Sequence, residues 1–241
     1  MRFSVEPSPS GGYFVRLEGV EAPVSRHDTE DEAEAARAMY RRGTEREASG
    51  EHVRLPDGTS VLVRAVRAED KPLFAAGWER FGAESRYRRF MGAKRRLSVS
   101  DLAFFTELDH VDHEAIGALD PITGEGLGVA RYLRHPERRN AAEAAVSVID
   151  TMQGRGLGGL LLRRLTFRAS ENGIGCFTAR LFTGNQSMLR LFEKLGDVTV
   201  TARHGPETDI DVELKVADAP TLELALRAVA TGHVGRRDGT A

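Results

Sequence analysis

The chain has 241 residues, 41% of them hydrophobic, and its 34 Lys and Arg nearly balance its 36 Asp and Glu, for a formal net charge of -2. This composition predicts a globular protein with one substantial core and excludes a global field that would attract nucleic acid or an anionic membrane. The single Cys176 excludes an internal disulfide framework, and no apolar run is typical of a signal peptide or membrane span, so we expect a cytoplasmic protein.

The sequence pattern of residues 1–50 predicts a small β-β-α accessory domain. "FSVEP" and "GGYFVRLEG" alternate apolar and polar residues around the turn sequence "SPSGG", and "TEDEAEAARAMYRRGTEREA" has helical spacing behind Asp28 or Thr29 as the N-cap. These segments resemble a small domain family of unknown function, which implies no chemistry. Because three elements bury little surface alone, we expect the unit to pair with "EHVRL" or to pack on the rest of the chain.

Residues 52–215 predict a mixed α/β (α+β) domain. A hairpin across "PDG" leads into the strand "SVLVRAV", and helical patterns follow in "EDKPLFAAGWERF", "ESRYRRFM" and "SVSDLAFFTEL". Further strands are expected in "EAIGAL", "GLGVARYL", "EAAVSVI", "CFTARLF", "DVTVTAR" and "TDIDVELKV". The helix "QSMLRLFEKL" is expected to end with Gly196 as its C′ residue. Residues 216–241 predict a C-terminal helix and a disordered tail.

The stretch "VIDTMQGRGLGGLLLRRL" places four glycines between a predicted strand and a leucine-rich helix. The first N–H groups of such a helix lack intrahelical partners and lie at the positive end of its dipole, which favours an anion. Glycines let a pyrophosphate approach the backbone, at a cost of about 1 kcal/mol each in helix propensity. The sequence therefore predicts an anion site formed by the residues of this turn: Gln153, Gly154, Arg155, Gly156, Leu157, Gly158 and Gly159.

Three known anion-binding patterns compete for these glycines. GxGxxG is matched by Gly154, Gly156 and Gly159, but polar "DTMQ" separates them from the strand and no carboxylate follows at the ribose position. The Walker pattern fails because no Gly-Lys-Ser/Thr follows. QxxGxG is filled completely, by Gln153, Gly156 and Gly158.

QxxGxG between a strand and a helix resembles the coenzyme A pyrophosphate loop of the GCN5-related N-acetyltransferases (GNAT). "NQSMLRLFEKLG" is similar to the family's second cofactor-binding block, at Asn185, Met188 and Phe192. "RYRRFMGAKRRLS", "FFTELDHVDH" and "AAEAAVSVIDTMQGRGLG" are similar to bacterial Pat-type protein lysine acetyltransferases. The resemblance covers residues 52–215 and implies a mixed sheet with splayed central strands flanked by helices, and acetyl-CoA as co-substrate.

The resemblance implies acetyl transfer to an amine, foremost a protein lysine, and acyl-CoA synthetases are the usual acceptors of Pat-type enzymes. Because a lysine amine has a pKa of about 10.4, a base must take its proton. Glu143 is the carboxylate of the strand before the loop and falls on the Pat catalytic glutamate. Its apolar surroundings "AAEAAVSV" predict burial and a raised pKa, and the alternative is a solvated carboxylate.

The resemblance also assigns roles to the main chain of Ser147, Val148 and Ile149. This backbone would pair with the pantetheine arm, and an N–H near Val148 would stabilise the thioester oxygen. Many relatives have a tyrosine that protonates the leaving thiolate, whereas Phe192 occupies that position here and is expected to pack on the cofactor. A small-molecule amine as acceptor, or a CoA-binding regulatory module without catalysis, remain alternatives.

Other features predict structure rather than chemistry. Cys176 is expected to be a buried hydrophobe, because no His or basic residue is its neighbour in sequence. The spacing of "DHVDH" suits no common metal site, so no metal is expected. The basic run from Arg86 to Arg96 predicts a solvated helix face, or a site for an acidic protein surface or the ribose phosphate; nucleic acid is disfavoured because few aromatic residues accompany it.

Overall fold

The structure, a computed structural model, describes residues 2–45, 50–85 and 96–215. These residues form a three-stranded sheet of order β1-β2-β3 and an eight-stranded sheet of order β10-β11-β9-β8-β7-β6-β5-β4. None of the helices in these ranges has the length and apolarity needed to cross a membrane. The predicted tail and most of both "ESRYRRFM" and the basic run lie outside the described residues.

The N-terminal unit consists of β1 (Phe3–Pro7), β2 (Tyr13–Leu17), β3 (Ser25–His27) and the helix α1 (Glu30–Glu45). The strands are antiparallel, and the short β3 is additional to the predicted β-β-α pattern. Thr29 is the N-cap of α1: its hydroxyl accepts the N–H of Glu32 at 3.3 Å, and the Glu32 carboxylate accepts the N–H of Thr29 at 3.3 Å. This reciprocal capping box fixes the start of α1.

The N-terminal unit buries its apolar side against two helices of the larger body, α2 (Lys71–Glu79) and α3 (Val99–Thr106). Both parts contribute to one core cluster: Phe3, Val15, Leu17, Val24, Ala33, Ala36, Ala75, Trp78, Leu97, Leu102 and Phe105. Packing on the rest of the chain is thereby confirmed. The pairing with "EHVRL" was wrong, because this segment forms β4 (Glu51–Arg54) and pairs across a tight turn with β5 (Ser60–Ala65).

Leu17→Ala is expected to destabilise the fold, because Leu17 is 5% exposed within the core cluster that the unit shares with α2 and α3. Truncating a leucine in such a place costs about 2–5 kcal/mol. Urea unfolding followed by tryptophan fluorescence measures this change through Trp78, which is buried in the same cluster. Leu133→Ala is the control, because Leu133 is 39% exposed and its truncation should leave the midpoint nearly unchanged.

The large sheet continues with six strands and two helices: β6 (His113–Leu119), β7 (Gly126–Arg134), β8 (Ala141–Val148), α4 (Leu157–Glu171), β9 (Cys176–Phe182), α5 (Gln186–Glu193), β10 (Gly196–His204) and β11 (Glu207–Leu214). Neighbouring strands are antiparallel except β8 and β9, which are parallel. The predicted mixed α/β fold is confirmed.

Gly196 does not close α5 as predicted. The helix ends at Glu193, and Gly196 is the first residue of β10, paired with Leu214 of β11. A Cβ atom at Gly196 would lie 1.9 Å from the carbonyl oxygen of Glu213. The position needs glycine because another strand passes close to it, a requirement that its place after a helix does not reveal.

The main core lies between the sheet and α4. The leucines of α4 recur at helical spacing and are buried against the sheet: Leu157, Leu160, Leu161, Leu162 and Leu165. The buried Ala142, Ala144 and Val146 of β8 belong to the same cluster. This packing holds the N-terminus of α4 at the end of β8, where the four glycines lie.

Candidate active site

The central strands β8 and β9 separate midway along the sheet. Their parallel pairing covers three positions, from Ala141 with Cys176 to Glu143 with Thr178, and then stops. On its other side β8 remains paired with β7 through Val148. The second half of β8 therefore borders a gap where a neighbouring strand would otherwise lie.

The backbone of β8 directs hydrogen-bonding groups into this gap. The N–H of Ile149 donates to Leu127 O at 3.1 Å, on the β7 side. Because successive backbone groups of a strand point to opposite edges, the N–H groups of Val148 and Val146 are directed toward the gap. An extended chain with amide groups can bind there as a substitute strand.

A groove of about 940 Å³ occupies the gap and continues over the N-terminus of α4. This volume lies within the usual range for a ligand of several hundred daltons. Nearly all of the predicted site residues line it: Glu143, Ser147, Val148, Gln153, Gly154, Gly156, Leu157, Gly158, Gly159, Asn185, Met188 and Phe192. Ile149 and Arg155 are not among its lining residues; Ile149 is buried, and Arg155 forms an ion pair with Asp57 at 3.4 Å.

The glycines before α4 have two different structural requirements. Gly154 and Gly156 have φ of 75° and 88°, in the left-handed region that side chains disfavour, so the turn itself needs them. Gly158 and Gly159 lie in the first turn of α4, and a Cβ atom at either would meet its neighbours at 3.4 Å or more. The protein has room for alanine at both positions. Glycine there leaves the backbone N–H groups of the helix open to the groove.

Gln153 joins the glycine turn to the end of β8 and to the segment after α2. Its amide nitrogen lies 3.1 Å from Val148 O, 3.2 Å from Ser85 Oγ and 3.2 Å from Asp150 Oδ1. Asp150 in turn accepts the Ser85 hydroxyl at 2.7 Å and the N–H of Gly82 at 3.2 Å. Gln153 and Asp150 therefore hold the turn against the segment after α2, through Ser85 and Gly82, which lie 65 or more residues earlier in the chain.

Asn185 and Met188 begin the second predicted block. Asn185 is the N-cap of α5, and its side-chain oxygen accepts the N–H of Met188 at 3.2 Å. Met188 is partly buried against the main core. Phe192, one turn later, is 1% exposed and is part of that core, so its ring supports the floor of the groove.

Asn185→Ala is expected to lower the free energy of unfolding by about 1 kcal/mol, the usual cost of removing an N-cap. Asn185→Asp keeps the capping oxygen and places its negative charge at the favourable end of α5. The aspartate variant should therefore unfold at the wild-type urea concentration. Equal destabilisation by both substitutions would contradict the capping role.

Glu143 lies on the face of β8 that is open to solvent, contrary to the predicted burial. Alternation on the strand places it with Ala145 and Ser147, opposite the buried Ala142, Ala144 and Val146. The apolar sequence around it belongs to that opposite face. Its cross-strand neighbours are Leu133 and Thr178, and Thr178 Oγ1 lies 2.8 Å from His135 Nε2. A carboxylate, a hydroxyl and an imidazole therefore lie together at the point where β8 and β9 separate.

Cys176 is buried as predicted, but it has a basic neighbour that the sequence does not reveal. Arg138 Nη2 lies 3.2 Å from Cys176 Sγ. Burial raises the pKa of the thiol, and the Arg138 charge opposes this rise only in part. Such a thiol is a poor nucleophile.

The "DHVDH" segment is a structural turn. Asp109 Oδ1 accepts the N–H groups of Val111, Asp112 and His113 at 2.8 Å each, and His110 has φ of 59°. Asp112 binds Arg134 and Arg139. In the described ranges, no three His, Cys, Asp or Glu side chains converge as metal ligands would.

The fold and this groove agree with comparisons to known proteins. Residues 78–197 match the acetyltransferase (GNAT) family. The chain is 30% identical over 175 residues to Acetyltransferase Pat of Mycolicibacterium smegmatis. This alignment covers 71% of this chain and 49% of that protein. It is 32% identical over 146 residues to Acetyltransferase PA5475 of Pseudomonas aeruginosa. This alignment covers 60% of this chain and 78% of the relative.

Among solved structures, the GNAT domain of S. lividans PAT aligns with a TM-score of 0.63 and 30% identity, over 68% of this chain and 97% of that chain. The chain therefore belongs to the acetyltransferase (GNAT) family, and the resemblance inferred from the glycine turn is confirmed. The chain spans about half the length of the Pat protein from M. smegmatis that it matches.

Proposed function

We propose that the protein transfers the acetyl group of acetyl-CoA to the side-chain amine of a protein lysine. The observation that carries this proposal is the separation of β8 from β9 immediately after Glu143, beside the glycine turn. One groove thus combines backbone donors for a thioester arm, an anion site for a pyrophosphate and an accessible carboxylate. These are the groups that aminolysis of an acyl-CoA requires.

The residues present fit coenzyme A. The pyrophosphate oxygens would accept hydrogen bonds from the backbone N–H groups of the turn from Gly154 to Gly159, at the positive end of the α4 dipole. The amides of the pantetheine arm would pair with the free edge of β8 between Val146 and Val148. When bound, acetyl-CoA supplies an activated acyl carbon. The N–H of Val148 is directed toward the gap and would donate to the acyl oxygen as it gains charge.

Glu143 acts as the general base in this proposal. The acceptor ammonium loses a proton to the Glu143 carboxylate, directly or through one water, and the neutral nitrogen then forms the amide bond as the carbon–sulfur bond breaks. The second proton that the nitrogen loses goes to the departing thiolate or to water. Exposure on the open face keeps the carboxylate accessible to an amine presented by another molecule. A thiol has a pKa of about 8.5, so CoA leaves as a thiolate without the tyrosine that Phe192 replaces.

The open surroundings of Glu143 favour a protein as the acceptor. Sites for small molecules usually bury most of their ligand. Here the sheet face beside Glu143 carries exposed or half-exposed charges in ion pairs, Arg138 with Asp211 at 2.6 Å and Arg180 with Asp209 at 2.6 Å. A polar, shallow surface of this kind suits a lysine that projects from a folded protein.

Incubation with labelled acetyl-CoA and an acyl-CoA synthetase tests the proposal. We expect label on lysine Nε, located by mass spectrometry, and stoichiometric release of free CoA. Label transfer to polyamines or amino acids but to no protein would show that the acceptor is a small-molecule amine. Tight CoA binding with no CoA released from acetyl-CoA by any amine would identify a regulatory module instead.

A further inference from the structure

We infer that the site accepts acyl chains longer than acetyl, in an apolar cavity that begins beside Ser147 and extends under α2. The inference rests on the proposed function, because it concerns the acyl group of the same substrate. It assigns a role to a part of the molecule that lies outside the CoA groove.

The cavity has two adjoining chambers between α2 and the sheet. The first, of about 60 Å³, has mainly aromatic walls: Phe74, Trp78, Phe81 and Phe105. The second, of about 70 Å³, reaches Gly77 on α2 and Gly117 and Gly126 on the sheet, positions without side chains. Both chambers share four lining residues, Phe74, Phe81, Val129 and Ser147. The two chambers therefore lie side by side, and in this inference they form one apolar path.

The path begins where the acyl group would lie. Ser147, Ala145 and Phe81 line the first chamber and also the CoA groove. Ser147 and Ala145 are on the same face of β8 as Glu143. An acyl carbon held at Val148 and attacked by an amine at Glu143 would therefore direct its alkyl chain into the first chamber.

The charges around the cavity favour an uncharged alkyl chain over the acceptor's ammonium group. Arg131 lines the first chamber, and its guanidinium stacks on Phe104 and Phe105 at 4.6 and 4.8 Å from the ring centres. None of the described residues that line this chamber is a carboxylate that would attract a second cation. In the second chamber, Arg64 and Asp70 form a two-pronged ion pair at 2.6 and 2.7 Å and so neutralise each other.

The size of the chambers sets the chain length. A water molecule needs about 10–15 Å³ of such a cavity, so each chamber holds roughly four to six non-hydrogen atoms. The two extra carbons of a butyryl chain fit the first chamber. The eight extra carbons of a decanoyl chain exceed it and reach the second, where a Cβ atom on Gly77 would have no neighbour within 4 Å.

Calorimetric titration of the full chain with acetyl-, butyryl- and decanoyl-CoA tests the inference, with two substitutions at Gly77. Each buried methylene tightens binding about fourfold, so we expect butyryl-CoA to bind about fifteenfold tighter than acetyl-CoA, and decanoyl-CoA tighter still. Gly77→Leu fills the second chamber and should remove the affinity that decanoyl-CoA gains over butyryl-CoA, while the affinity for acetyl-CoA stays unchanged. Gly77→Ala raises the helix propensity of α2 as Gly77→Leu does but adds only one carbon. This variant should therefore still bind the longer acyl-CoA thioesters more tightly than acetyl-CoA.

Equal affinities for the three thioesters, or a Gly77→Leu variant that binds all three as the wild type does or weakens all three equally, would overturn the inference. If acetyl-CoA is bound and turned over in that case, the proposed function stands without the acyl cavity. If none of the three binds, the proposed function fails together with the inference.

Discussion

Replacing Glu143 by Gln is expected to lower the rate of acetyl transfer by about 10²–10⁴-fold, the usual contribution of a general base. Affinity for acetyl-CoA should not change, because Glu143 lies where β8 and β9 are still paired, before the free edge from Val146 to Val148 and away from the glycine turn. The loss should shrink as pH rises toward the amine pKa of about 10.4, since the acceptor then arrives already neutral. Steady-state rates of the variant from pH 7 to 10 measure this dependence.

Glu213→Gln is the matched control. Glu213 is an exposed carboxylate on β11, and its contact with Arg138 is long, at 3.7 Å. The same chemical change there should leave the rate within a factor of about two, as for most surface substitutions. A pH-independent loss in Glu143→Gln, or an equal loss in Glu213→Gln, would contradict a base at Glu143.

Gly158→Ala is expected to change stability and cofactor affinity in opposite directions. The position is helical and a Cβ atom meets its nearest neighbour, Leu191, at 3.4 Å, so alanine should raise the free energy of unfolding by about 0.5–1 kcal/mol. The added methyl would lie beside Leu191 and Val148, which line the groove with Gly158, and we expect it to hold a pyrophosphate away from the N–H groups of α4. Losing one charge-assisted hydrogen bond costs about 1.5–3 kcal/mol, or a ten- to hundredfold weaker Kd for acetyl-CoA.

Gly77→Ala separates these two effects, because it is also a helical glycine with room for a methyl but lies outside the CoA groove. It should raise stability without weakening acetyl-CoA binding. Urea unfolding and calorimetry on both variants give the four values. A Gly158→Ala protein that binds acetyl-CoA as tightly as the wild type would show that the pyrophosphate is not held at this turn.

The parts of the site that the sequence predicts are those determined by neighbours in the chain. The turn from Gln153 to Gly159 and the cap at Asn185 depend on hydrogen bonds within a few residues, so their local patterns suffice. The strand assignments around Glu143 follow from local alternation, and the splayed central strands follow from the resemblance to a known family. The family and the fold were therefore predictable from short segments.

Features that depend on distant residues were not predictable in this way. The exposure of Glu143 depends on which face of β8 is covered by α4, and the apolar letters around it do not distinguish the two faces. A Cβ atom at Gly82 would lie 2.5 Å from Asp150 Oδ2, which is 68 residues away, and would displace that carboxylate. The Arg138 beside Cys176 is likewise 38 residues distant. For Gly82 and Ser85, which bind Asp150, the sequence offers only a turn-forming segment after α2, and this segment does not indicate which distant residue they contact.

A crystal structure of the protein with acetyl-CoA tests the central claim most directly. We expect the pyrophosphate oxygens within hydrogen-bonding distance of the backbone N–H groups between Gly154 and Gly159. We also expect the pantetheine amides to pair with β8 between Val146 and Val148, with the acyl carbon between Val148 and Glu143. Acetyl-CoA bound away from the gap between β8 and β9, or with its pyrophosphate off the glycine turn, would contradict the account.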